Sequence, residues 1–453
     1  MNRPMIGRIS VIRCAWLAVG FVLAATMAQA NNIAVKNVIL TSAPGTAVMD
    51  VQFDLSWSDS WRASWKEGAT TVTNWDATWV FIKYRVTSGG ADTNWHHACL
   101  ASEGNSAPAG MAVEVGASPI GAAKVNVGAF IHRSTLGTGN VDFTRVTLRW
   151  KDVPSVPKDK IEVRVHAIEM VYIPQGSFYP GAGSGWGHLY QYTEGGKEEK
   201  PMQVTAESNT FTIGTKPGNI YYGNENQTHG DQIGTITSEF PKGYAAFYCM
   251  KNDILQGQYR EFLDELTPRQ ADMRFPGNTG MDRVPVDGSW IYGGTNAAPD
   301  KIANWLSWVD VAAYLDWAGL RPMSELEFKK AFRIPTAAEG GLKRASTMYG
   351  AGCYYGATEL GGILWDRAVT IGHPKGRVFT GVHGDGVLDG VGNADVMNWP
   401  AADALGAGFF GGRWNEWDNT KNYITTVADR SHANTKYRFR LHRFTGRGVR
   451  TAP

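Results

Sequence analysis

The sequence predicts an α+β protein: a β-sandwich of immunoglobulin-like kind over residues 31–168, then a loop-rich second half over 169–453. Three observations predict it. Apolar and polar residues alternate through the first half, the two-residue period of strands with one buried face. Helical periodicity surfaces only in two later stretches. Between them run long glycine-rich segments, in a chain carrying 53 Gly and 17 Trp.

Residues 1–30 read as a secretory signal. Arg3, Arg8 and Arg13 form its basic region, an apolar run follows from Ala15 to Met27, and Ala28-Gln29-Ala30 supplies a small-x-small cleavage site. The mature chain is expected to begin at Asn31 and to be exported, to the periplasm, the cell surface or the medium. The apolar run is too short for a membrane span, and no later stretch is long and apolar enough for one.

The strands of the first half announce themselves in order. Val51, Phe53, Leu55 and Trp57 alternate with Asp50, Gln52, Asp54 and Ser56. Similar runs are "TWVFIKYRV" (78–86), "KVNVGAFI" (124–131), "VTLRW" (146–150) and "KIEVRVHAI" (160–168), with Gly, Pro, Ser and Asn between them. No catalytic constellation stands among them.

In the second half, Leu255, Tyr259, Phe262, Leu263 and Leu266 share one helical face, with Asn252 or Asp253 as the expected cap. Trp308, Val311, Ala312 and Leu315 form a second face, capped by Ser307. Gly319 can close that helix in a left-handed conformation, and Pro322 lies just beyond it. Ser324 and Glu327 then have the spacing of a capping box for a third helix, whose buried stripe is Phe328, Ala331 and Phe332.

Charge and cysteine usage exclude several classes. Lys+Arg 44 against Asp+Glu 42 leaves no bulk charge for a polyanion such as nucleic acid. Three cysteines outlast signal removal, Cys99, Cys249 and Cys353, so at most one internal disulfide forms and all three pairings stay open. No G-x-S-x-G, Walker loop, H-E-x-x-H or C-x-x-C occurs.

"MVYIPQGSF" (170–178), "YAAFYCMKNDILQGQYREFL" (244–263), "NWLSWVDVAAYLDWAGLRPMSELEFKKAFR" (304–333) and "GGRW" (411–414) stand in one order. Together they resemble the formylglycine-generating enzyme, or sulfatase-modifying-factor, family. The resemblance covers roughly residues 170–453 and implies a C-type-lectin-like fold. It makes the Gly319–Ser324 turn an architectural corner, with Arg321 and Glu327 structural. Enzymes of that family bind copper through two cysteine thiolates in the C-terminal segment, and here no cysteine follows Cys353. Copper and oxidase chemistry are therefore not expected, since Cu(I) needs soft ligands. The family's calcium motif appears as "GGILWDR" (361–367), which keeps only Asp366 as a candidate calcium ligand. "HGDGVLDGVGNAD" (383–395) adds Asp385, Asp389 and Asp395, whose spacing is that of turn aspartates and not of an EF-hand.

The segment 411–453 remains as the expected ligand-binding surface. "GAGFFGGRW", "VADRSHAN" and the terminal "GRGVRTAP" resemble the C-terminal region of variable proteins diversified by retroelements, which hold a lectin-like backbone constant while surface residues change. The candidate display positions are Asn415, Trp417, Asn419, Asn422, Tyr423, His432, Asn434, Lys436, Tyr437, Phe439, His442 and Phe444. Rigid aromatics and adaptable Asn side chains are what binding surfaces favour. The sequence is thus read as an exported, non-catalytic recognition protein whose partner is a protein or a glycan. From Ser431 onward six Lys/Arg stand with no acidic residue, which fits an acidic glycan as a secondary choice. The alternative is an oxidase of the formylglycine-generating type, or a related enzyme acting on a protein substrate, with its chemistry relocated.

Overall fold

The computed structural model describes residues 33–42, 48–87, 92–120, 122–180, 189–193, 200–221, 233–277, 283–286, 289–292, 298–332, 353–358, 364–411, 427–429 and 440–453. Strand dominates, with a small helical share. The alternation of the first half delivers a buried face: Val51, Phe53, Leu55 and Trp57 are at most 1% exposed. The long strands Met49–Glu67 and Thr70–Val86 pair only near their shared turn, Arg62 opposite Trp75 through Glu67 opposite Thr70. They then diverge, the first pairing with Gly137–Trp150 and the second with Ala123–Arg133. Side chains from both branches, among them Leu55, Leu148, Ile82 and Ile131, meet in one core.

The boundary expected at 168/169 is corrected, because it falls inside a strand. The run 160–168 and the start of 170–178 form one element, Ile161–Ile173. It pairs with Thr70–Val86 from Val86↔Ile161 to Asp76↔Val171. Its far end pairs with Phe247–Met250, and the sheet continues through Gly448–Thr451 to Arg321–Pro322. The two halves therefore share one eleven-stranded sheet in place of two separately closed units. Strands ending at residue 168 would have left open backbone groups that the second half satisfies. Side chains cross the same junction: Trp79 Nε1 donates to the Ala318 carbonyl at 2.8 Å, and Asn74 Nδ2 to that of Tyr355 at 3.0 Å.

The corner after the helix Trp308–Trp317 follows its sequence signals. Ser307 Oγ accepts from the Asp310 amide, and Asp310 Oδ2 from the Ser307 amide, at 3.4 and 2.9 Å. Gly319 sits at φ +68°, while its amide donates to Asp316 and that of Leu320 to Leu315. This doubled closure caps the last carbonyls. Ser324 Oγ and the Glu327 carboxylate exchange bonds with each other's amides at 3.1 and 2.9 Å. Arg321 grips Glu327 through two bonds of 2.8 and 2.6 Å, and both side chains are 2% exposed.

The other helix departs from its expected cap. It runs Gln256–Asp264, and Gln258 Oε1 accepts from the Leu255 amide at its start. Asn252 and Asp253 are engaged elsewhere, accepting from Thr358 and Arg447. A further helix, Pro268–Arg274, starts at Thr267 with Pro268 at its first position and Gln270 completing a capping box. Among the described residues no helix is long and apolar enough to cross a membrane. No disulfide joins Cys99, Cys249 and Cys353 to one another.

Candidate functional site

The chain on either side of residues 412–443 is built into one small sheet. Its strand order is Val427–Asp429, Ala407–Gly411, Trp365–Val369, Phe444–Gly446. Trp365 is paired with Gly411 on one side and with Phe444 on the other. The chain between residues 412 and 443 therefore leaves and re-enters the sheet on either side of one strand. It touches back at Val427–Asp429, which pairs with Phe409 and Phe410.

Packing and charge secure the re-entry point. Arg440 donates Nε to Asp310 Oδ2 and Nη2 to Asp310 Oδ1, each at 2.7 Å, and Nη2 also reaches the Met273 carbonyl at 2.6 Å. Asp310 is fully buried and lies 3.3 Å from Arg274 as well. Asn304 Nδ2 holds the His442 carbonyl at 2.9 Å, and the Leu306 amide holds that of Phe444 at 3.2 Å.

Ten of the twelve candidate positions, Asn415, Trp417, Asn419, Asn422, Tyr423, His432, Asn434, Lys436, Tyr437 and Phe439, lie outside the described residues. His442 is exposed, its ring edge-on to Trp305 at 5.7 Å. Phe444 is corrected from a displayed to a core residue. It is 2% exposed, stacks on Phe409 at 4.5 Å, and lies under the Arg367 guanidinium at 4.8 Å. One face of its strand has to close against the helix Trp308–Trp317 and its neighbours, and Phe444 falls on the inside.

No protein-family model matches the chain, and no curated protein matches it.

Asp366 is 1% exposed, its Oδ2 3.5 Å from Arg447 Nε. Arg447 also pairs with Asp253 and donates Nη1 to the carbonyls of Met250 and Lys251 at 3.3 and 3.2 Å. Burial works against the Arg447 charge, but Asp253 and Asp366 outweigh it and raise its pKa. The chain thus supplies a cation of its own between two carboxylates.

The glycine-rich loop 383–395 divides its aspartates. Asp389 is a turn residue, accepting from the amides of Val391 and Asn393 at 2.9 and 2.8 Å. Asp385 is one too, accepting from the Val387 amide at 2.9 Å, and with Asp395 it also converges on Asp316 of the helix Trp308–Trp317, with oxygens of all three within 4.8 Å of one another. Gly384 makes the approach possible, since a Cβ there would lie 2.5 Å from Asp316 Cα. The amides of Asp385 and Asp395 donate to Asp316 at 3.0 and 3.2 Å. Burial holds Asp316 well above the usual carboxylate range, and Asp385 adds to the rise. Lys83 stands by, its amine on the Gly386 carbonyl at 3.0 Å and its pKa drawn down to about 7 by burial. Three oxygens are half of what a calcium ion takes, at most. The loop spacing was read as that of turn aspartates alone, and the approach to Asp316, which comes from a distant helix, carried no signal in the sequence.

Proposed function

We propose that this chain is an exported recognition protein that presents its C-terminal segment for ligand binding on a C-type-lectin-like scaffold. The immunoglobulin-like sandwich of the first half forms the base of that scaffold. One observation carries the reading. The segment 412–443 starts and ends beside a single strand, and its return is fixed by Arg440 on Asp310 and by Phe444 in the core. A backbone held at its exit by the pairing of Gly411 with Trp365, and at its return by Arg440 and by the buried Phe444, tolerates replacement of the remaining candidate positions, as a diversified surface requires. The ligand class is a protein or a glycan.

The enzymatic alternative finds no support in Cys99 or Cys249. Burial pushes Cys249 up to about 12, and burial with Asp152 does the same to Cys99, so neither is poised as a thiolate. We read Asp366 as the partner of Arg447 and not as a calcium ligand.

Sequencing the locus tests the proposal. A neighbouring reverse-transcriptase gene and an imperfect repeat of the 3′ end, differing at adenines, support it. Stoichiometric Cu(I) binding with oxidation of a cysteine-containing peptide would overturn it in favour of the oxidase.

A further inference from the structure

The strand Ile161–Ile173 has two unlike edges. One pairs with Thr70–Val86 from Ile161 to Val171. The other is paired only from Met170 to Ile173, by Phe247–Met250, and the last rung is the Lys251 amide donating to the Glu169 carbonyl at 2.9 Å. Beyond it the neighbouring chain turns away into the helix Gln256–Asp264. A cleft of about 610 Å³ opens there, lined by Val165, His166, Ala167, Ile168 and Glu169 in unbroken succession. Successive strand side chains point to opposite faces, so a cleft touched by five in a row runs along the strand's edge.

Antiparallel pairing fixes which backbone groups face it. The Glu169 carbonyl points away from Thr70–Val86, and groups two and four residues back point the same way. Those are Ala167 and Val165, and among the described residues no strand pairs with them on that side. The rest of the lining includes Ile33, Ala34 and Val35 at the start of the strand Ala34–Ser42, and Leu255, Gln258, Glu261 and Asp300. Natural edges are usually blunted by lysine, proline or a bulge, and Val165–Glu169 has none of these.

We propose that this edge is a second binding site, which takes an extended, basic peptide segment of a partner protein as an added strand beside Val165–Glu169. A row of outward N–H and C=O groups is matched by another backbone, which is how strand addition obtains affinity. The sign of the side chains follows from what reaches solvent. Glu261 is half exposed and Asp300 exposed, both carboxylates. Among the described residues no Lys or Arg lines the cleft, and His166 in its lining is buried against Glu261 and Glu265; the flanking Arg164 and Arg260 are part-exposed but lie against Glu265 and Asp264. The cleft volume also falls within the roughly 300–1,000 Å³ typical of ligand sites.

The test uses the full chain and two capped hexapeptides, one alternating Val and Lys, the other Val and Glu. The Val-Lys peptide is expected to slow hydrogen exchange at the Val165 and Ala167 amides, and to bind about tenfold more tightly than the Val-Glu peptide. Ala167→Pro removes an outward N–H without breaking a bond to Thr70–Val86, so it should weaken binding about tenfold at an unchanged melting temperature. Should that variant fail to fold, Glu261→Gln with Asp300→Asn keeps the question open, and is expected to erase the preference for the Val-Lys peptide. Unchanged exchange at both amides at saturating peptide overturns the proposal. So does concentration-dependent protection of those amides in the protein alone, which would assign the edge to a second copy of this chain.

Discussion

Arg440 and Asp310 meet in a two-pronged pair, with both N–O distances 2.7 Å and the carboxylate fully buried. The two residues lie 130 apart in the chain. Asp310 also caps its own helix and faces Arg274, so it serves as a hub while Arg440 is one of its spokes.

The hub and the spoke should differ in cost. Asp310→Ala strands two guanidinium groups and is expected to lose about 3–5 kcal/mol, as breaking a buried ion pair does. Arg440→Ala leaves Arg274 beside the carboxylate and should lose about 1.5–3 kcal/mol, in the range of hydrogen bonds to charged groups. Urea denaturation of both variants measures the difference, and equal losses would remove Asp310 from its central position.

Phe444 separates framework from displayed surface. Phe444→Ala should cost about 3–5 kcal/mol, the usual loss for truncating a buried aromatic. Alanine at Asn415, Asn419, Asn422 or His442 should each stay within about 0.5 kcal/mol of the parent. Thermal unfolding compares the two groups, and a large loss at the Asn positions would place them in the core.

Gly319 is a direct test of the corner. At φ +68° a Cβ is strained, and it would also lie 3.0 Å from Val127 Cγ2. Gly319→Ala is therefore expected to destabilise by about 1–2 kcal/mol. An unchanged melting temperature would show that the helix can end without a left-handed residue.

His166 gives a pH signature. Burial opposes its charge, but Glu265 and Glu261 outweigh burial and raise it to about 9. Because the folded pKa lies above the unfolded value near 6.5, its contribution is full below that pH and is lost as pH rises through about 9. The stability gap between the parent and His166→Gln should accordingly shrink between pH 6.5 and pH 9. A gap constant with pH would mean that the imidazole is held neutral.

What the sequence determined by itself was local. The face of Val51, Phe53, Leu55 and Trp57, the caps at Ser307 and Ser324, and the closure at Gly319 depend on residues no more than about six apart, where period and hydrogen-bond reach are set by the backbone alone. The Pro268–Arg274 helix carried the same kind of signal in Thr267, Pro268 and Gln270, and was legible though not read. The tertiary structure decided the rest. A strand's alternation names its buried face but not its neighbour, so nothing local in Ile161–Ile173 reveals that Val171 pairs with Cys249 and joins the two halves. Likewise Asp366 offers a carboxylate in any fold, and only the register of Trp365–Val369 beside Phe444–Gly446 sets it against Arg447. Charge partners and strand partners are chosen by which elements stack together, and that choice rests on the burial of apolar surface by the whole chain.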